Sequence, residues 1–311
     1  MIENLFICIG AQKAGTSWLH AVLKNDPAFA MTPYTKEIHY FDFVHRGSPH
    51  LNNWRAWSLK DLLGKRPVQG ALHLAAWLDE QNKAQALLPV AQKEKKQAAF
   101  TKNFDELTQR IDDDWYTDIF GLRPDQDYCL DITPDYAVIG ESGFSHMKSV
   151  AKNLKLLFIL REPVDRTWSG LLQGQKNSPL GIDGFLKSIP ENLNNIVQDA
   201  TVGLNVGARS NYVKTLKNLE KAWLTDNLLI KFYDDISENP RAFIDDIYRH
   251  IGKQAPWHLE NFEAAIAQRV YVTQGKTEIP AELRAALKAF YKVEIGQLNE
   301  MIGVPKAWLE K

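Results

Sequence analysis

Between Ile9 and Leu19 the chain reads Ile-Gly-Ala-Gln-Lys-Ala-Gly-Thr-Ser-Trp-Leu, which gathers Gly10, Lys13, Gly15, Thr16 and Ser17 into one short turn. That grouping has the chemistry of an anion cradle. Backbone N–H groups and the positive end of a helix attract a phosphate, a lysine adds a full charge, and glycines let the backbone approach closely. In a triphosphatase loop a lysine directly follows the second glycine and reaches the β- and γ-phosphates, while Ser or Thr holds magnesium. Here Thr16 stands in that place and the lysine sits in mid-loop as Lys13. The expected ligand is a nucleotide without a triphosphate.

A second anion site follows a second apolar run. Residues 154–160, Leu-Lys-Leu-Leu-Phe-Ile-Leu, have the near-continuous hydrophobicity of a strand buried on both faces of a parallel sheet, and they lead into Arg161-Glu-Pro-Val-Asp-Arg-Thr-Trp-Ser169. Arg161 offers a planar fork of donors suited to a phosphate, and Ser169 adds a hydroxyl from the next helix. The plainer readings are an Arg161 paired with Glu162 or Asp165 and a Ser169 bonded back to its own turn. Two anion sites and no evident metal-holding carboxylate suit a 3′,5′-bisphosphorylated nucleotide, with no metal expected.

At this point the residues resemble those of the sulfotransferases that use 3′-phosphoadenosine 5′-phosphosulfate. Gln12-Lys-Ala-Gly-Thr-Ser-Trp18 looks like their 5′-phosphosulfate loop, and Leu160-Arg-Glu-Pro-Val-Asp-Arg-Thr-Trp-Ser169 like their 3′-phosphate segment. Lys231-Phe-Tyr-Asp-Asp-Ile-Ser-Glu-Asn-Pro-Arg241 is similar to the strand and helix that close the family's core. The resemblance implies donor contacts by Gln12, Lys13, Ala14, Gly15, Thr16, Ser17, Trp18, Arg161 and Ser169. It extends to Arg209, Ser210 and Tyr212, which look like the nucleotide-side helix, and loosely to Lys276 in a Gly-containing loop.

The segment Thr35-Lys-Glu-Ile-His-Tyr-Phe-Asp42 resembles the glycosaminoglycan and bacterial branch, in which a glutamate is the catalytic base. The resemblance makes Glu37 the base, with His39 second, and assigns Lys36, Asp131, Thr133 and Tyr136 to the acceptor side. A lysine common in that family's acceptor loop is absent; Ile132 stands there. Sulfonyl transfer is an in-line displacement that needs a base for the nucleophile's proton and a cation at the departing oxygen. Glu37 and Lys13 have the types required. Burial raises a carboxyl pKa, which would suit a base at neutral pH, and strand parity would turn Glu37 and His39 to one cleft.

These groups need elements to hold them. Leu5–Ile9 reads as a buried strand, and Trp18, Leu19, Val22 and Leu23 share one helix face. Tyr212, Leu216, Leu219 and Trp223 recur at helical spacing, residues 227–233 read as a strand, and Asn239-Pro240 starts a helix that Gly252 stops. A last helix from Pro280 carries Leu283, Leu287, Phe290, Leu298 and Ile302. The fold class expected is α/β, a three-layer P-loop-like core with a central parallel sheet flanked by helices. Residues 1–311 form one domain, in which 43–126 is a mostly helical insertion shaping the acceptor site.

With 37 basic and 38 acidic residues and a net charge of −1, the chain does not suit general nucleic-acid binding or a membrane surface. Cys8 and Cys129 both fall in buried strands, which fits a reducing compartment, and no apolar run spans a membrane, so a cytoplasmic location is expected. The charged run Gln92–Gln97, with Lys93, Lys95 and Lys96, reads as a solvated helix face or, alternatively, a contact for an anionic acceptor. The acceptor class is a hydroxyl or amine of a sugar, lipid or small metabolite. Oligomeric state is not readable. Other readings are a nucleotide kinase or triphosphatase, against which Thr16 and Arg161 stand, and a non-catalytic module that would not need Glu37.

Overall fold

The computed structural model describes residues 1–63, 107–175, 178–201, 206–267 and 277–310. Residues 64–106 of the expected insertion, with Lys93, Lys95 and Lys96, lie outside the described residues. So does Lys276.

The first half contains β1 (Ile2–Gly10), α1 (Thr16–Leu23), β2 (Phe29–Ala30), α2 (Tyr40–Arg46), α3 (His50–Leu63), α4 (Asp113–Asp118), β3 (Tyr128–Ile132), α5 (Glu141–Val150) and β4 (Ala151–Leu160). Then come α6 (Pro163–Gln175), α7 (Gly181–Thr201), α8 (Tyr212–Lys221), β5 (Leu228–Phe232), α9 (Tyr233–Glu238), α10 (Pro240–His250), α11 (Glu260–Ala267), α12 (Ala281–Ile302) and α13 (Lys306–Glu310). The strands pair in the order β2-β3-β1-β4-β5, every pair parallel. Each of these strands therefore ends at the same edge of the sheet. Because β3 and β4 lie on opposite sides of β1, that edge has a switch point at β1, where open α/β sheets bind ligands.

The apolar runs become what they must in a sheet covered on both faces. Leu5, Phe6, Ile7, Cys8 and Ile9 of β1 and Leu156 through Leu160 of β4 are fully buried. Register is direct: Leu5 lies opposite Cys129 on one side and Leu154 on the other. Both cysteines are free and buried. Asn239 caps α10 by accepting the Ala242 N–H at 3.0 Å, Pro240 occupies the first turn, and Phe243, Ile244 and Ile247 face inward.

Three expectations are corrected. Trp223 lies beyond the end of α8 at φ 57° and is 82% exposed, so it leaves the buried stripe. Phe290 is 47% exposed, because Tyr291 takes the inward position beside it. Residues 31–39 form a loop rather than a strand, so Glu37 and His39 are brought together by a turn and not by strand parity.

The glycines of the first loop also act otherwise than expected. A Cβ on Gly10 would come within 2.9 Å of the Pro134 carbonyl, and Gly15 sits at φ 88° with its missing Cβ position 2.6 Å from Ile236 Cδ1. They serve close backbone–protein contact and a left-handed turn into α1. Among the described residues, no helix is long and apolar enough to cross a membrane.

Gly15→Ala forces both a left-handed backbone and a clash, and is predicted to destabilise the fold by about 1–3 kcal/mol in urea denaturation. Gly174→Ala, in α6 with nothing within 4 Å, serves as the control and stays neutral or slightly stabilising.

Candidate active site

The site is assembled at the carboxyl edge of β1, β3 and β4. Leaving β1, Ala11 N–H donates to the Ile159 carbonyl at 2.7 Å, so the loop starts on the neighbouring strand. Lys13 adopts φ 71°, and its Nζ lies 3.3 Å from Gln173 Oε1 on α6. Arg161, immediately after β4, donates from Nη1 to the Lys13 carbonyl at 2.9 Å and lies over the Tyr233 ring at 4.8 Å. Arg161 is thus tied to the backbone of the loop that carries Lys13. Among the described residues no carboxylate forms an ion pair with Arg161; Glu162 instead caps α6 by accepting the Asp165 N–H at 2.7 Å. Ser169 is half-buried on α6, one turn before Gln173 and so on the face that meets Lys13.

Gln12 and Ser17 are half-buried, while Ala14 and Thr16 are buried. Gly15 provides no side-chain cap to α1, leaving the helix's first N–H groups to other acceptors. Trp18, which the resemblance places among the donor contacts, packs as its helix spacing indicates: its ring is 7% exposed, meets Phe243 edge-on and donates from Nε1 to the Ile266 carbonyl. It belongs to the core.

Ser210 and Tyr212 are likewise enclosed, both at 0% exposure. The Tyr212 hydroxyl donates to the Arg161 carbonyl at 2.8 Å, fixing the backbone that aims Arg161. Ser210 Oγ accepts from Arg166 Nε. Their expected contact with the nucleotide is replaced by support from beneath. Arg166 also donates from Nη2 to the Val206 carbonyl at 2.6 Å, while its buried Nη1 has no hydrogen-bond partner among the described residues. Burial pushes its guanidinium pKa down, and the charges of Arg161 and Arg209 push the same way. Arg209 is paired with Asp135 at 2.7 Å. Three arginines on one side of the loop, one with a spare N–H, make this region strongly receptive to an anion.

On the other side of the loop lies an alternating charge chain. Lys36 Nζ donates to Glu37 Oε1 at 2.9 Å; His39 Nε2 meets Glu37 Oε2 at 3.4 Å, and His39 Nδ1 meets Asp42 Oδ2 at 3.0 Å. Burial works to raise the Glu37 carboxyl, but the hydrogen bond from His39 and the charge of Lys36 outweigh it and hold the pKa at about 2. Burial likewise opposes the His39 imidazolium, yet the hydrogen bonds to Asp42 and Glu37 prevail and raise it to about 10. Both expectations change accordingly. Glu37 is not tuned upward by burial, and His39 is a charged clamp with no lone pair for a second base at neutral pH.

Asp131, Thr133 and Tyr136 are corrected as acceptor contacts, since all three have 0% exposure. Asp131 accepts hydroxyls from Thr133, Tyr136 and Tyr116 at 2.6, 2.8 and 3.0 Å. Thr133 Oγ1 in turn accepts the Ile38 N–H at 2.9 Å, and the Tyr136 hydroxyl accepts the Tyr40 N–H at 3.0 Å. This hub holds the 38–40 backbone, including His39 at φ 62°, and so positions Glu37. Trp54 of α3 completes the support by donating to the Ile38 carbonyl at 2.9 Å. Sequence reasoning did not identify Arg166, Asp135, Asp42 or His20. Asp42 alone left a trace, three residues from His39 on a helix start.

The fold is α/β, with Lys13, Lys36 and Arg161 gathered at the carboxyl edge of its parallel sheet. Residues 144–277 match the family model described as a sulfotransferase domain. A sulfotransferase from Alicyclobacillus acidocaldarius superposes with a TM-score of 0.60 at 16% identity over 99% of both chains. The sulfotransferase domain of the Synechococcus PCC 7002 olefin synthase gives 0.49 at 14% identity, over 93% of this chain and 96% of that one. The sulfotransferase domain from the Curacin biosynthetic pathway gives 0.45 at 14%, over 92% and 83%. No curated protein sequence matches the chain. The match to the sulfotransferase-domain model spans less than half of the chain, and over its whole length the fold is similar to that of the Alicyclobacillus sulfotransferase.

His39 is expected to remain protonated through neutral pH. Its raised pKa stabilises the fold fully below the ordinary imidazole value of 6.5, a contribution lost as pH rises through about 10. Imidazole NMR titration checks this, and Asp42→Asn is expected to move the midpoint down. A wild-type midpoint near 6.5 would disprove the charged clamp.

Proposed function

We propose that the protein transfers a sulfonyl group from 3′-phosphoadenosine 5′-phosphosulfate to a hydroxyl or amine acceptor, with Glu37 as the base. The observation that carries the reading is the bond from the Arg161 guanidinium to the Lys13 carbonyl, which ties the second expected anion grip to the loop that bears the first, while Lys36 links the end of that loop to Glu37. Lys13, the free N–H groups of α1 and the hydroxyls of Thr16 and Ser17 suit the 5′-phosphosulfate. Arg161 and Ser169 suit the 3′-phosphate, and Lys276 remains part of the proposal.

The donor supplies an activated sulfur; the protein supplies position and charge. Lys13 and the helix start favour the negative charge that grows on the departing bridging oxygen. Glu37 takes the acceptor's proton, His39 and Asp42 keep its carboxylate aimed, and the Asp131 hub keeps that segment still. In this reading the acceptor enters where α2, α3 and α4 flank the Glu37 segment. Helices α2, α3 and α4 already buttress it, for example through the Tyr40 hydroxyl donating to Asp113 at 2.5 Å. The acceptor is a sugar, lipid or small metabolite, and the location proposed is the cytoplasm.

Isothermal titration with adenosine 3′,5′-bisphosphate, without added metal, is expected to show binding, weakened about 10-fold or more by Lys13→Ala or Arg161→Ala. Binding of ATP–magnesium in preference to the bisphosphate would favour the kinase reading and overturn this one. Glu37→Gln is expected to keep bisphosphate affinity while transfer to an acceptor falls about 100- to 10,000-fold. Unchanged transfer would remove Glu37 from its role.

A further inference from the structure

Lys36 was expected on the acceptor side, and its contacts point elsewhere. Its Nζ lies 3.2 Å from Thr16 Oγ1, 3.2 Å from Ser17 Oγ and 2.9 Å from Glu37 Oε1. An ammonium has three donors, and here each has an acceptor. Two of these acceptors are hydroxyls in the first turn of α1, where the donor's anion would be drawn. The third is the base itself. One side chain, 20% exposed, therefore spans the distance between donor loop and base.

The surroundings leave that cation as the element able to change partner. His20, facing it from α1, is pushed down to about 4 by burial and then by the Lys36 charge, so it is neutral. Cys8, facing it from β1, is pushed up to about 12 by burial and is neutral too. Asp131 of β3 is enclosed by three hydroxyl donors. His39 is clamped between Glu37 and Asp42. Both oxygens of Glu37 meet cations, Oε1 at Lys36 and Oε2 at His39, and a carboxylate so held is a weak acceptor for a hydroxyl proton.

Resting on the sulfonyl-transfer reading above, we propose that Lys36 couples donor binding to the base. When the donor's sulfonate sits at the first turn of α1, Lys36 exchanges Glu37 Oε1 for a sulfonate oxygen, and Oε1 opens to the acceptor. Glu37 Oε1 then takes the acceptor's proton as the acceptor oxygen bonds to sulfur. The bond from sulfur to the bridging oxygen breaks with its electron pair left on the adenosine bisphosphate, beside Lys13. The exchange leaves the base fully competent only when there is a sulfonyl group to transfer.

The test is a carbon-13 NMR titration of the glutamate carboxyls, with Glu37 identified by its loss in Glu37→Gln. Wild-type protein is measured alone, with adenosine 3′,5′-bisphosphate, and with the sulfonate-bearing donor in the absence of acceptor. The Glu37 midpoint is expected to rise by about one pH unit or more with the donor and to stay in place with the bisphosphate. Lys36→Met is expected to start with a raised midpoint that the donor no longer moves, and Lys36→Arg to restore the response. Equal midpoints with donor and bisphosphate in the wild type, or a Lys36→Met midpoint equal to wild type, would overturn the coupling. The wild-type comparison decides even if Lys36→Met fails to fold. Failure of both nucleotides to bind would be a different result, removing the donor reading and this inference with it.

Discussion

The active edge depends on β1 and β4 running parallel and side by side. Parallel neighbours finish at the same edge, so the loop after β1 and the arginine after β4 must meet there whatever lies between them in the chain. The Arg161 bond to the Lys13 carbonyl is the local expression of that constraint. Tyr212 beneath Arg161 and Tyr233 against its guanidinium then limit where the fork can point. The third resembling stretch, residues 231–241, finds its use here: Tyr233 and Ile236 fill the space that Gly15 leaves open.

The side proposed to be catalytic is built on a different physical device. Glu37 lies in a loop, and loops hold position only when their backbone groups are satisfied by something rigid. The buried Asp131 hub does this through Thr133 and Tyr136, whose oxygens accept successive N–H groups of the 38–40 segment. A buried carboxylate with three hydroxyl donors is costly to desolvate but directional, and direction is what the base proposed for Glu37 requires. The alternating order Lys36, Glu37, His39, Asp42 keeps each charge beside its opposite, which is how a partly buried cluster of this size is tolerated.

Much of this was legible before any coordinates. The strand–loop–helix at the start, the apolar strand before Arg161 and the cap at Asn239 follow from local patterns, since burial on two faces and helix capping leave marks on neighbouring residues. Lys13, Arg161 and Glu37 stand out in the sequence by type, spacing and resemblance. Burial was not legible at polar positions. Asp131, Thr133, Tyr136, Ser210 and Tyr212 have the side chains of a binding site, but their hydroxyls and carboxylate face inward to buried protein partners. Trp223 and Phe290 show the opposite case, apolar residues in periodic positions that face water because a helix ended or a neighbour took the inward place.

The amino-acid sequence by itself determined the class of the fold and the kinds of charge available, because hydrophobic period, glycine placement and residue type are properties of short stretches. Only the tertiary structure decided which of those charges meet and what each becomes. Glu37 is held low and His39 high by partners that include Asp42, and Lys36 reaches hydroxyls twenty residues away in the chain. Electrostatic energy depends on distance and burial, and neither quantity is written in the order of residues.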